Sequence, residues 1–116
     1  MRVPFFAEID LGTEDLTRVT AKVSAYEKFA HKTGWVWPVL FWLPTALRER
    51  HLQTRLTEQH SLVPVATAAA DVAAVQGLSP AEAVWWLHDH THGHPSGRLD
   101  LADLAHTVTR TPQTWH

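Results

Sequence analysis

The sequence predicts an α/β domain, a small and mostly parallel sheet flanked by helices. Three observations predict it. Apolar runs of strand length stand at residues 3–9, 38–44 and 61–66, and capped or amphipathic stretches separate them. The resulting strand–helix units repeat about every 20–25 residues, the pattern of parallel crossovers. The run Val39-Leu40-Phe41-Trp42-Leu43 is continuously apolar, as suits a central strand covered on both faces. With 116 residues the chain is expected to hold one domain over 1–110, followed by a frayed tail at 111–116.

Each element has its own signal. Phe5, Phe6 and Ile9 fill the first run, and Asp10 and Gly12 stop it. Thr13 is the expected N-cap of the first helix, with Glu14 and Asp15 where the helix dipole favours negative charge. Leu16, Val19, Val23, Tyr26 and Ala30 then recur at spacings of three and four, a stripe about 80° wide. Gly34 suits the position just past the helix end, after Lys28 and Lys32. Trp35 and Trp37 surround an expected turn. Thr45 can cap a second helix over 46–58, whose stripe of Leu47, Leu52 and Leu56 is thinner. In the third run Pro64 lacks an N–H, which points to an edge position or a bulge. A short alanine-rich helix is expected over 68–75, ended by Gly77. Ser79-Pro80-Ala81-Glu82 is a helix-start signal, yet residues 83–87 have strand length and propensity. A single turn followed by a strand reconciles the two. Residues 88–98 read as loop, and Leu101, Leu104, Ala105 and Val108 as a last short helix.

Composition narrows the function. The chain has no cysteine, which excludes disulfide scaffolds, thiol chemistry and cysteine-ligated metals. Its formal charge is −2, from 10 basic and 12 acidic residues, so it is not a polybasic nucleic-acid binder. Charge is uneven, with 8 basic and 7 acidic side chains in residues 1–60 and 2 and 5 in the remainder. No apolar run reaches the length of a membrane span, and the start lacks the features of a secretory signal, so a cytoplasmic location is expected. No phosphate-binding glycine motif is present.

The first candidate site is Glu8-Ile9-Asp10. Residues two apart on a strand face the same side, and the carboxyl end of a strand is where α/β sheets gather ligands. Such a carboxylate pair suits Mg²⁺ or Mn²⁺, with Lys22 on the next helix as a phosphate clamp or a positioner of water. Asp10 and Glu14 equally suit helix capping, and Glu8 a surface pair with a lysine. Cations that could meet DNA phosphates are Arg18, Lys22, Lys28 and Lys32 on the first helix and Arg48, Arg50 and Arg55 on the second.

The run PFFAEIDLGTEDLTRVTAKVSAYEKFA, with VLFWLPTALRERHLQTRL and VPVATA after it, resembles the central segment of actinobacterial replication-relaxation proteins. The resemblance is carried by Glu8, Asp10, Gly12, Thr13, Glu14, Arg18, Lys22 and Tyr26 and covers roughly residues 3–67. It implies a protein of plasmids or integrated mobile elements, acting in DNA processing or mobilisation. It also implies a winged-helix domain ahead of this segment, so the chain reads as a truncated member with that domain as a partner. The acidic strand with its lysine looks like the core of restriction-endonuclease-like nucleases. Those take a further carboxylate from an earlier strand, and no such strand is read here. The expectation is therefore a domain without independent catalysis, with a divalent-metal-dependent nuclease and a structural or homodimerising module as alternatives.

His88, His90, His92 and His94 form the other candidate site, with imidazoles suited to Zn²⁺ or Ni²⁺. Extended, alternate histidines stand about 6.6 Å apart, so one ion requires the loop to curl. A solvated loop is the competing reading. Among six tryptophans, Trp42 and one of Trp85 and Trp86 are expected in the core, and the others on a face for a partner or a second copy.

Overall fold

The computed structural model describes residues 4–59, 61–89 and 97–110. It is an α/β domain with a four-stranded, mostly parallel sheet and flanking helices. Along the chain come β1 (Phe6–Ile9), α1 (Leu16–Thr33), β2 (Trp35–Val36), β3 (Val39–Leu43), α2 (Ala46–Thr57), β4 (Val65–Ala69), α3 (Ala70–Gln76), β5 (Trp86–Leu87) and α4 (Leu101–Leu104). A 3₁₀ turn at Ala105–Thr107 leads into β6 (Thr109–Arg110). The main sheet has the order β1-β3-β4-β5, and β2 pairs with β6 in a separate ribbon. β1, β3 and β4 are parallel, while β5 runs antiparallel to β4.

α1 forms where its apolar stripe is, and Val19, Val23 and Ala30 are buried. Its N-cap is Asp15 rather than Thr13. The Asp15 carboxylate accepts the Thr17 N–H at 2.7 Å, and so lies one turn-step nearer the stripe. Gly34 closes the helix as expected, at φ 80°, and donates to the Ala30 carbonyl. In α2 the cap is Thr45, which accepts from the Arg48 N–H. The buried stripe is Glu49, Leu52, Gln53 and Leu56, and Leu47 is 54% exposed. Two of the positions that face the sheet are thus polar, which is why the apolar stripe reads thin.

The two sheet faces differ. α1 and α2 cover the first, packing Val19, Val23, Leu52 and Leu56 on Val39, Phe41, Leu43 and Val65. Each fully buried Val or Leu here contributes roughly 1.5–3 kcal/mol. The second face carries Leu40, Ala66 and Ala68 beneath Ala73, Val84, Trp85 and Leu104. Alanines on β4 leave room for those larger side chains.

Several expectations shift. The third strand begins at Val65, after Pro64, and β4 lies inside the sheet between β3 and β5. Pro64 stays compatible with that place because it only accepts there, its carbonyl taking the Val39 N–H at 2.9 Å. The third helix starts at Ala70. The expected turn at Trp35 is instead the start of β2, because Trp35 and Val36 find Arg110 and Thr109 as partners. The turn-then-strand reading of 79–87 matches the structure, with the Ser79 N–H bound to the Glu82 carboxylate and β5 after it. Trp85 and Trp86 are both buried, on opposite faces, while Trp42 is half-buried. The expected tail at 111–116 lies outside the described residues. Among the described residues no helix is long and apolar enough to cross a membrane.

Leu52→Ala is expected to cost about 2–5 kcal/mol in urea unfolding, and Leu47→Ala under about 0.5. Equal losses would mean that α2 is rotated from this register.

Candidate functional site

The carboxyl end of β1 is built by alternation. Phe6 and Asp10 donate their N–H groups to Pro38 and Trp42 of the neighbouring strand segment, at 3.0 and 2.9 Å. Phe6, Glu8 and Asp10 therefore share the face that α1 covers. Gly12, at φ 79°, turns the chain back, and a Cβ there would meet Pro44 at 3.3 Å. α1 then returns over β1 with Lys22 and Tyr26 one turn apart above Glu8. The Tyr26 hydroxyl donates to Glu8 Oε1, and Lys22 Nζ stands 3.7 Å from Glu8 Oε2 and 3.0 Å from Glu14 Oε1. Phe6 packs on the Tyr26 ring at 4.4 Å between centroids.

Asp10 is held differently. Its side chain is 3% exposed, and Arg48 from the first turn of α2 grips both oxygens, Nε on Oδ2 and Nη2 on Oδ1 at 2.9 Å. Nη2 also donates to the Glu14 carbonyl at 2.6 Å. Burial pushes the Asp10 carboxyl up, but the Arg48 hydrogen bonds, the Gly12 N–H and the Arg48 charge together bring it below its ordinary value. The hydrogen bond to Glu14 raises Lys22 despite burial, with the Glu8, Glu14 and Asp10 charges adding to it. Burial, then the bond to Glu8, pushes Tyr26 up to about 12. The site is a network of three carboxylates, one guanidinium, one ammonium and one neutral phenol.

That network decides what the carboxylates can do. Glu8, Asp10 and Lys22 do come together as the spacing predicts, yet both Asp10 oxygens accept from Arg48 and Glu8 accepts from Tyr26. A hard divalent ion needs those oxygens free of cationic donors, so the donor set in this arrangement does not fit Mg²⁺ or Mn²⁺. Among the described residues no group of three or more potential ligands is placed to hold a metal. The strand order also runs β1-β3-β4 without reversal, so no switch-point crevice opens at the strand ends.

Of the seven cations, Arg48 and Lys22 belong to this network. Arg55 bonds Thr17 across the two helices at 2.7 Å. Arg18, Lys28, Lys32 and Arg50 are exposed. His88 follows β5, its N–H on the Val65 carbonyl and Nδ1 2.7 Å from Gln53 Oε1. His90, His92 and His94 lie outside the described residues.

A second polar cluster escapes the sequence reading. Glu49, 1% exposed, takes a two-point contact from Arg98 at 2.9 and 2.7 Å and a third bond from Thr67 Oγ1 at 2.7 Å. Gln53 Nε2 bonds Thr67 and the Trp86 carbonyl at 2.9 and 3.1 Å. The legible sign was Glu49 and Gln53 in step with Leu52 and Leu56. Polar residues at core positions require partners. Which residue answers, here Arg98 from far along the chain, has no local signature.

No protein-family model, curated protein or solved structure matches the chain.

Arg48→Ala leaves Asp10 buried and unpaired, and the expected loss is about 3–5 kcal/mol by denaturant unfolding, with Arg48→Lys recovering only part. Because the folded Asp10 value is depressed, its contribution is complete above the ordinary 3.8 and falls as pH drops through the folded value. Asp10→Asn should therefore flatten that acid limb in a pH series of unfolding curves. Tyr26 is the single tyrosine, so phenolate absorbance reads it directly. The raised group adds stability below 10.0 that is lost as pH rises toward about 12. The phenolate band should appear later in the folded protein than in denaturant, and Glu8→Gln should narrow that gap.

Proposed function

We propose that this chain is a domain of replication-relaxation type that serves DNA processing in mobile elements by contacting DNA, without cutting it. The observation that carries the non-cutting part is the Arg48 grip on Asp10, which occupies the carboxylate a metal would need. The DNA part is supported by the exposed Arg18, Lys28, Lys32 and Arg50 on the two helices of one layer. Four such cations neutralise few phosphates, and Glu58 and Asp15 stand among them, so the contact is weak and salt-sensitive.

A metal-dependent nuclease is the second reading, favoured by the convergence of Glu8 and Lys22 at 3.7 Å. The two separate cleanly. Fluorescence titration with duplex DNA should give binding that weakens with salt, and Lys28→Ala with Lys32→Ala should reduce the log–log salt slope by about 1.8 if both touch phosphates. Binding that is absent, or unchanged by salt, would sink the DNA reading. Supercoiled plasmid incubated with Mn²⁺ or Mg²⁺ should show the same background nicking for wild type and Asp10→Ala. Cutting lost in Asp10→Ala would establish the nuclease instead.

A further inference from the structure

β1 is an edge of the sheet, and among the described residues no segment pairs with its outer side. Since Phe6 and Asp10 donate toward β3, Ala7 and Ile9 turn their N–H and C=O groups outward. Natural edges are blunted by lysine, proline, a bulge or a covering segment. The opposite edge shows such cover: β5 is two residues long and Trp85 beside it is bridged to Leu99. β1 carries no lysine or proline, and its one charge, Glu8, is already compensated by Lys22 and Tyr26.

The second face beside this edge is apolar and open. Phe5, Ile9 and Leu11 are 37%, 71% and 78% exposed. Between β1 and the segment bearing Pro80, Trp85 and Leu101 lies a groove of about 220 Å³, floored by Leu40 and Trp42. Parallel strands are ordinarily covered on both faces, whereas the described residues cover β1 on one, with Trp42 of β3 half-buried beside it. A segment that adds at this edge must supply outward N–H and C=O groups and apolar side chains to set beside Phe5 and Ile9, and β1 itself has both.

We propose that two copies of the chain join through β1, antiparallel about a two-fold axis at Ala7, into one continuous eight-stranded sheet. The register follows from charge. Of the alignments that pair Ile9 with an outward-facing residue, Phe5, Ala7, Ile9 or Leu11, those centred on Glu8, Ile9 or Asp10 set carboxylates opposite one another. The alignment centred on Ala7 sets Phe5 against Ile9 of the partner subunit and Phe6 against Glu8 of the partner subunit. It closes the hydrogen-bonding edge and packs Phe5 side by side with Ile9 of the partner subunit, and the isologous contact stops at two copies. The inference uses none of the exposed helix cations, so it stands or falls independently of DNA binding.

Sedimentation of the full chain over a concentration series should show monomer passing to dimer and no further. Ile9→Lys, at a solvated position, should weaken the dimer by about tenfold or more, and Val75→Lys on exposed α3 should leave it unchanged. The chain has no cysteine, so Ala7→Cys gives a clean cross-link test. Hydrogen-bonded antiparallel partners have Cα atoms about 5.5 Å apart, and the Cβ atoms of such a pair stand too far apart for an unstrained disulfide, so a short bismaleimide is the probe. It should join Ala7→Cys into a covalent dimer and leave Val75→Cys monomeric. A wild type that stays monomeric, assembly that continues past two copies, or an Ile9→Lys dimer as tight as wild type overturns the proposal. So does a wild-type dimer in which Ala7→Cys fails to cross-link. If Ile9→Lys proves misfolded by circular dichroism, the Ala7→Cys result decides alone.

Discussion

The Arg48 guanidinium on the Asp10 carboxylate is the contact on which the first third of the molecule depends. It joins three things that the chain brings together only on folding: the end of β1, the carbonyl of Glu14 just ahead of α1, and the first turn of α2. Among the described residues β1 has a strand neighbour on one side only, so its position relies on β3 and on what its face-one side chains grip. A planar fork suits this task, since it fixes direction as well as distance. A buried ion pair is not by itself strong evidence of stability, because desolvation opposes the attraction. What it does penalise is any placement of β1 that keeps Asp10 buried but takes it from Arg48, since that leaves an unpaired buried charge.

α2 organises two polar systems from adjacent residues. Arg48 points toward β1, and Glu49, the next residue round the helix, points into the sheet toward Thr67 and Arg98. With Gln53 one turn on, the helix links β1, β4, the end of β5 and the segment at Arg98. The core is therefore less apolar than its composition suggests, and its polar members are connected rather than scattered. Such networks hold a fold tightly when every member is satisfied and cost it heavily when one is removed.

The uneven covering of the sheet has a similar logic. Two crossover helices on one face complete that layer. The other face is covered by shorter pieces, α3, Trp85 and α4, which reach β4 and part of β3 but not β1. Among the described residues, apolar surface is left beside the β1 edge because those pieces are short.

Much of the fold was legible in the chain. Period-3.6 spacing placed α1, Gly34 and Gly77 placed helix ends, and the run from Val39 to Leu43 announced a central strand, because these signals are local and period-bound. The meeting of Glu8, Asp10 and Lys22 was also legible, since strand alternation sets the two carboxylates on one side and the next helix returns over them, while the Tyr26 hydroxyl on Glu8 was not. What only the tertiary structure decided is who answers whom across long separations. Arg48 looked like one more surface cation, Glu49 and Gln53 weakened a stripe, and Arg98 stood in a loop. Pro64 argued for an edge or a bulge, yet β4 is an inner strand, because the ladder starts one residue later at Val65 and asks of Pro64 only its carbonyl. Local patterns carry the period of a helix or strand. Whether a charge ends in water or against an opposite charge depends on which segments fold against it, and that is written in the whole chain at once.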